Sequence, residues 1–313
     1  MVAERFLVTG ALGCVGSWTV RVLREAGHDV VALNRGLGLE RLQLVMERED
    51  LRDITFERCD ITDRDAVEAV FERHEPTRVV HLAALQIPFC RADPSRGAQV
   101  NVQGTVNIFE AVRTRSEQIG MLVYSGSAAM YSQADADAVA RDEDAAPHPE
   151  THYGVFKWAN ESTAKVYWHE HGVASIGLRP MVVFGPGRDQ GLTSASTLAM
   201  RAAAMGEEFE IPHGGSSLFN YAPDAAQMFV AAACTQLDGA LTFNMPGSVV
   251  SVEDVVSAIR YSVVDAKVGY TGEPLPFPST FATGGYTDVA PITVTPFADA
   301  VDATIKHFIR AAG

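Results

Sequence analysis

Cysteine is scarce and scattered. The four residues, Cys14, Cys59, Cys90 and Cys234, form no Cys-x-x-Cys pair. That spacing argues against a disulfide scaffold and a zinc site, so no metal is expected, and it suits a reducing cytosol. Positive charge is also short. With 25 Lys and Arg against 39 Asp and Glu, the net charge is −14, which repels nucleic-acid phosphate and provides no polybasic patch for an anionic membrane. Neither nucleic acid nor membrane is an expected partner. No apolar run reaches the ~20 residues of a membrane span, and no basic-then-apolar leader precedes the first strand-like run, Arg5-Phe6-Leu7-Val8-Thr9. A cytoplasmic protein is the expectation. Internal repeats and disordered linkers are absent too.

What is present is a core-forming composition. The chain has 313 residues, 47% apolar and 20% charged, enough for one large domain or two moderate ones. Phe6-Leu7-Val8 reads as a buried strand, followed by Thr9-Gly10-Ala11-Leu12-Gly13-Cys14-Val15-Gly16 and a helix over Ser17 to Ala26. Gly10 allows a tight turn, Gly13 lets backbone approach a pyrophosphate, and Gly16 lets helix pack on strand. The helix N-terminus then faces the phosphates. Together these make the first half of a dinucleotide-binding unit.

Further strand–helix pairs follow. Asp29–Leu33 is a second strand ending at Asn34-Arg35-Gly36. An acid there would hold the ribose 2′-hydroxyl of NAD; the neutral Asn34 removes repulsion, and Arg35 can pair with a 2′-phosphate. This tilts the cofactor toward NADP over NAD. The alternative is that Asn34 binds the ribose hydroxyls and Arg35 is a solvated loop charge. Ile54–Cys59 is a third strand closed by Asp60-Ile61, with Asp63 as N-cap of the next helix; Asp60 is a candidate acceptor for the adenine amino group or a turn residue. Arg78–Ala84 is a fourth strand running into a small-residue turn, Leu82-Ala83-Ala84, against which a ribose or nicotinamide can lie. His81 within it reads as a packed, hydrogen-bonded core histidine. A helix over 101–115 precedes a fifth strand, Met121–Tyr124, that ends at Ser125-Gly126-Ser127. Val173–Leu178 is a sixth strand.

This alternation predicts an α/β fold, a doubly wound parallel sheet of Rossmann type over residues 1–180, with ligands at the carboxyl ends of the strands. Beyond Arg179-Pro180 the pattern loosens. Residues 181–313 read as a smaller C-terminal α+β substrate lobe interleaved with the first domain at its edges, with helices near 194–205, 224–236, 252–262 and 296–310 and strands near 241–245 and 267–271. The acidic run Asp142-Glu143-Asp144 reads most simply as solvated.

Tyr153 and Lys157 stand one helical turn apart on one face. A nearby ammonium favours a phenolate, so such a tyrosine can pass a proton to or from an alcohol oxygen while a hydride moves to or from a nicotinamide.

Thr9-Gly10-x-x-Gly13-x-x-Gly16, His81-Leu82-Ala83-Ala84, Ser125-Gly126-Ser127-Ala128-Ala129-Met130-Tyr131 and Tyr153-x-x-x-Lys157, in this order, resemble the extended short-chain dehydrogenase/reductase family, which includes NAD-dependent sugar epimerases and dehydratases. The resemblance implies Tyr153 as general acid/base, Lys157 lowering its pKa and holding the nicotinamide ribose, and Ser127 bonding the reacting oxygen. It implies cofactor contacts from Asn101 and from Pro180 and Val183 after the sixth strand; helix capping or packing is an equal reading for Asn101. It also implies a homodimer joined through the helices near 101–115 and 153–171.

The departures bear on substrate. Family epimerases that act on nucleotide sugars carry an asparagine after the sixth strand and arginines in two later regions. Here those regions read Val182, Ser217 to Asp224, and Pro276-Phe277-Pro278-Ser279, without arginine. A buried diphosphate without cations would cost several kcal/mol, so a small non-nucleotide substrate is expected. Arg188, bracketed by Gly185-Pro186-Gly187 and Gly191, is a candidate partner for a carboxylate such as that of a sugar acid, or a solvated arginine salt-bridged to Asp189. Phe184, Phe219 and Tyr221 are candidates for an apolar wall, with Tyr221 a substrate contact, or ordinary core. The expected function is an NAD(P)-dependent oxidoreductase interconverting a secondary alcohol and a ketone. Alternatives are an epimerase or dehydratase that retains its cofactor, and a non-catalytic dinucleotide sensor.

Overall fold

The computed structural model describes residues 4–140 and 142–312. The first half runs β1 (Arg5–Thr9), α1 (Cys14–Glu25), β2 (Asp29–Asn34), α2 (Glu40–Val45), β3 (Ile54–Arg58), α3 (Arg64–His74), β4 (Arg78–His81), α4 (Ile87–Ala92), α5 (Pro94–Ala98), α6 (Gly104–Arg113), β5 (Met121–Ser125), α7 (Ala136–Val139), α8 (His152–His171) and β6 (Ser175–Arg179). The second runs β7 (Val182–Phe184), α9 (Ala195–Met205), β8 (Phe209–Ile211), β9 (Ser216–Tyr221), α10 (Ala222–Ala233), β10 (Ala240–Asn244), β11 (Ser248–Ser251), α11 (Val252–Ser262), β12 (Val268–Tyr270) and α12 (Phe297–Ala312). No helix among the described residues is long and apolar enough to cross a membrane.

A seven-stranded parallel sheet is ordered β10-β6-β5-β4-β1-β2-β3. Its strands are near-continuous apolar runs because helices cover both faces: Phe6, Val8, Val80, Val123 and Ile176 face one core, and Leu7, Val31, Val79, Leu122 and Tyr124 the other. The strand order reverses between β1 and β4, which opens a crevice at their carboxyl ends. Gly10 sits there at φ 67°, and a Cβ on it would stand 2.7 Å from Ala83 N. A Cβ on Gly16 would run into Gly10 O, so only glycine lets α1 start this close to β1. Helix α1 begins three residues earlier than the periodicity suggests, because Gly13 itself is the N-cap.

Two later elements return to the first sheet. Strand β10 pairs with β6, and α10 packs on α1. What remains is a smaller lobe: a three-stranded sheet β11-β9-β7, the pair β12–β8, and helices α9, α11 and α12 around Phe184, Phe219, Ile259 and Val301.

The helix bearing Tyr153 has clear ends. Pro147 and Pro149 precede it, and Thr151 caps it by accepting from Gly154 N at 3.0 Å, a contact worth about 1 kcal/mol. Gly172, at φ 66°, terminates it. A buried ion pair fixes its position. Arg179, at the end of β6, donates Nε and Nη2 to Glu161 of α8 at 2.9 and 2.7 Å, Nη1 to Glu143 O at 2.7 Å and Nη2 to Thr242 at 3.1 Å. Both charged side chains are about 5% exposed or less. Glu143 corrects the solvated-run expectation: its carboxylate accepts from Asn244 N at 2.9 Å and Gly285 N at 2.6 Å, because the loop folds over the end of β10.

Arg179→Met is expected to strand the Glu161 carboxylate and destabilise the fold by about 3–5 kcal/mol, with most of the loss recovered by adding Glu161→Leu. Urea unfolding of the single and double variants measures both.

Candidate active site

The strand ends open on a cleft of about 540 Å³, within the size range of small-ligand sites. Gly10, Leu12, Gly13, Cys14, Val15 and Gly16 line one wall. Asn34, Arg35, Asp60 and Ile61 line the end beyond β2 and β3; Leu82, Ala83 and Ala84 lie at the crossing; Ser127, Tyr153, Lys157, Pro180 and Val183 line the far end. Helix α1 has no side-chain cap and no acid in its first turn, so its orphan N–H groups are available to an anion in this cleft. Uncapped donors, glycine backbone and small residues together suit a dinucleotide pyrophosphate.

Ser127, Tyr153 and Lys157 come together at the far end. Ser127 caps a single 3₁₀ turn, Ala128–Met130, its Oγ accepting from Ala129 N at 3.1 Å, which leaves its O–H to donate elsewhere. A Cβ at Gly154 would meet Ala129 O, so the first turn of α8 rests directly on the Ser127 turn. Lys157 is 3% exposed. Its Nζ donates to Ser125 O at 2.6 Å and lies 5.6 Å from the centroid of the Tyr153 ring. Burial pushes its pKa down to about 8, against the pull of Cys90 and Glu161.

Burial raises the Tyr153 phenol above its ordinary value; hydrogen bonding with Ser127 and the charge of Arg188 act the other way, and Cys90 adds to the rise. The sequence reading assigned that favourable charge to Lys157. In the structure Lys157 donates to the Ser125 carbonyl, and the charge of Arg188 also favours the phenolate.

Polar groups under the cleft hold it in shape. Thr9 Oγ1 accepts from Ala83 N at 3.2 Å and lies 2.6 Å from His81 Nδ1; His81 Nε2 lies 3.0 Å from Thr105 Oγ1, which donates to Asn101 O at 2.8 Å. This pattern puts a proton on His81 Nε2, and burial drives its pKa down to about 3, so the ring is neutral. His81 is a packed core histidine. Asn101 lies in a π-helical turn, Gln99–Gln103, and does not line the cleft. Its side chain pairs with Leu85, accepting from N at 2.7 Å and donating to O at 2.8 Å. It positions the loop after β4 and makes no wall for a cofactor, which corrects the contact implied by resemblance.

Tyr221 is a second correction. It too lies off the cleft and packs 5.4 Å from Phe184; Phe184 and Phe219 are 1% and 2% exposed in the lobe core. These rings fill the lobe because β7 and β9 pair side by side. Asn34 lines the cleft, with its amide donating to Gly36 O at 2.8 Å. Asp60 is engaged by Thr62 and by Arg96 at 2.7 Å, which holds its carboxyl below the usual range despite burial.

Sequence reasoning missed Arg41, Gln86, Arg96 and Thr193, all of which line the cleft. For Thr193 the signal was the adjoining glycine-bracketed loop after β7, where Gly185, Gly187 and Gly191 all have positive φ. Its start is pinned by Trp18 Nε1 donating to Pro186 O at 3.0 Å. Arg188 Nη2 then donates to Thr193 at 3.0 Å, while Arg188 Nε and Gln86 Oε1 are buried and have no partner among the described residues.

A model of the NAD dependent epimerase/dehydratase family matches residues 6–245. The chain is 31% identical over 233 residues to UDP-glucose 4-epimerase of Mycolicibacterium smegmatis, covering 73% of this chain and 72% of that protein. It is 34% identical over 186 residues to L-arabinose 1-dehydrogenase (NAD(P)(+)) of Haloferax volcanii, covering 56% and 65%. The chain spans about half the length of other curated relatives it matches, 55% in two of them. The structure of L-threonine dehydrogenase from Clostridium difficile superposes with a TM-score of 0.86 at 20% identity, over 99% of each chain, which establishes the shared fold. The match over 6–245, together with the cleft geometry, makes this chain a member of the NAD dependent epimerase/dehydratase family.

Proposed function

We propose that the chain is an NAD(P)-dependent oxidoreductase that interconverts a secondary alcohol and a ketone on a small, non-nucleotide, carboxylate-bearing substrate. The observation that carries this reading is the convergence of Tyr153, Ser127 and Lys157 on the cleft that also contains the glycine turn. When bound, the nicotinamide supplies the redox chemistry, taking or returning a hydride at the substrate carbon. Tyr153 takes the hydroxyl proton as the alcohol is oxidised and returns it in reduction. The Ser127 O–H, freed by its acceptor role toward Ala129 N, donates to the reacting oxygen. Lys157, held by Ser125 O, is one turn away and presents its remaining donors to ribose hydroxyls.

Arg188 supports the carboxylate. It and Gln86 bring unpartnered polar atoms to the same part of the cleft. A carboxylate on Arg188 satisfies the guanidinium, and a substrate hydroxyl or amine can donate to Gln86 Oε1. Of the other lining arginines, Arg35 follows β2, Arg41 pairs with Asp189 and Arg96 pairs with Asp60, so Arg41 and Arg96 already have carboxylate partners. One cation at the substrate end suits a carboxylate better than a diphosphate. A second reading, an epimerase that keeps its cofactor, is favoured by the Mycolicibacterium smegmatis relative; release of reduced dinucleotide in bulk separates the two.

For the same protein a homodimer is proposed. Val155, Trp158 and Val166 are 45%, 43% and 51% exposed and share one face of α8, an apolar stripe turned to solvent. Light scattering should return twice the chain mass; a monomer sinks this part.

Tyr153→Phe is expected to lower turnover about 10²–10⁴-fold with dinucleotide affinity retained. Near-normal turnover overturns the proton-transfer role. Arg188→Ala should raise KM for a hydroxy acid about 10- to 100-fold and spare its neutral amide. The same change removes the charge that favours the Tyr153 phenolate, so the limb of the pH–rate profile set by that group should move to higher pH. Equal effects on acid and amide argue against a carboxylate substrate.

A further inference from the structure

Two large apolar side chains stand partly open to solvent inside the cleft. Phe89 and Leu192 are 47% and 42% exposed, and both line it. They flank the polar groups of the substrate end. Gln86 is the N-cap of α4, and Ile87 and Phe89 follow it in the first turn. Leu192 follows Gly191, where a Cβ would run into Gln86 Oε1 and stand 3.1 Å from Arg188 Nη2. Met181 extends the apolar lining toward Ser127: it follows Pro180, whose carbonyl accepts from Ala128 N at 3.1 Å. Phe277, between Pro276 and Pro278, lines the cleft too and packs on the lobe core. These are not the rings that the sequence suggested. Phe184, Phe219 and Tyr221 fill the lobe, and other residues carry the apolar surface.

Polar capacity at this end is small. Among the described residues, Thr193 is bonded by Arg188, and Asp189 by Arg41. The Ser127 hydroxyl and the Tyr153 phenol serve the reacting oxygen. Gln86 Oε1 and Arg188 Nε are buried without partners, and Gln190 is exposed. A sugar acid brings several hydroxyls beyond the one oxidised, and each one taken from water without a partner costs affinity. An aliphatic chain or an aromatic ring instead covers the apolar surface and gains by leaving water. We propose that the substrate is a hydroxy acid with an apolar tail, its carboxylate on Arg188 and its tail against Phe89 and Leu192, so that these two side chains select chain length. The inference rests on the carboxylate reading of Arg188 and narrows it, setting a sugar acid aside. Both side chains are presented from fixed turns. Phe89 N donates to Gln86 O at 3.0 Å, and Leu192 sits in a turn where Ser194 donates N and Oγ to Gly191 O at 3.2 and 2.9 Å. Little backbone has to be ordered when a tail binds, which keeps the entropic cost low.

The test is a series of straight-chain alkanoates, propionate to hexanoate, titrated calorimetrically into the full chain saturated with NAD⁺ or NADP⁺. Affinity should rise about threefold per methylene. Hexanoate should bind at least about tenfold more tightly than gluconate, which has the same carbon skeleton length. In the double variant Phe89→Ser, Leu192→Ser the rise should fall below about 1.5-fold per methylene. Tyr261→Ser, at an 88% exposed position off the cleft, should leave the rise unchanged and so controls for loose surface binding. Melting temperatures confirm that each variant is folded. A flat series, an unchanged slope in the double variant, or tighter binding of gluconate overturns the apolar tail, while the oxidoreductase reading is still judged by Tyr153→Phe turnover. If Arg188→Ala leaves the affinity of every acid unchanged, the carboxylate reading fails and the inference fails with it.

Discussion

One ion pair, buried Arg179 with Glu161, sets the geometry on which the active site depends. It ties the last residue of β6 to α8 one turn beyond Lys157, and it runs directly beneath Gly126, where an added Cβ would stand 2.9 Å from a Glu161 oxygen. The turn carrying Ser127 and the helix carrying Tyr153 and Lys157 are therefore held by the same two side chains. A buried pair of this kind contributes little net stability against an apolar equivalent, because both ions lose water. Its value here is positional. The guanidinium donates to the acid, a loop carbonyl and a threonine at once, so α8 has one seat on the sheet.

On that seat the phenol is desolvated, and what draws it toward ionisation comes from the substrate side of the cleft, through Ser127 and Arg188. Any anion that neutralises Arg188 also weakens its pull on Tyr153. Lys157, engaged with Ser125 O, has its pKa pushed down to about 8 by burial.

The sheet was legible in the sequence because its signals are local. Short apolar runs, glycine at a forced left-handed turn, and Asp63 as a cap accepting from Ala66 N at 3.1 Å each act within a few residues. The cleft residues on the strand ends followed from topology. What could not be read were contacts made across the fold. Asn101 looked like a cofactor neighbour but spends both ends of its amide on Leu85. Tyr221 looked like a wall but lies beneath Phe184. Glu143, in an acidic run that suggests solvent, caps backbone from β10 and from residue 285. Arg41 carries no pattern of its own, and only the folded loop after β7 brings Asp189 to it. The lobe strands β7, β8 and β11 were missed because three or four residues do not establish an alternation, and the six-residue β9 was missed as well.

The return of β10 and α10 to the first sheet has a consequence for biosynthesis. A nascent chain that has cleared the ribosome only to residue 180 presents β6 as an unpaired edge and leaves the α1 side of the sheet without its second helix. Such an edge invites pairing with other chains. The dinucleotide domain is therefore not a unit that closes on its own during translation. It waits for the segment through Asn244, and by then β7, α9 and β9 of the lobe have emerged as well, so the two bodies are obliged to mature together.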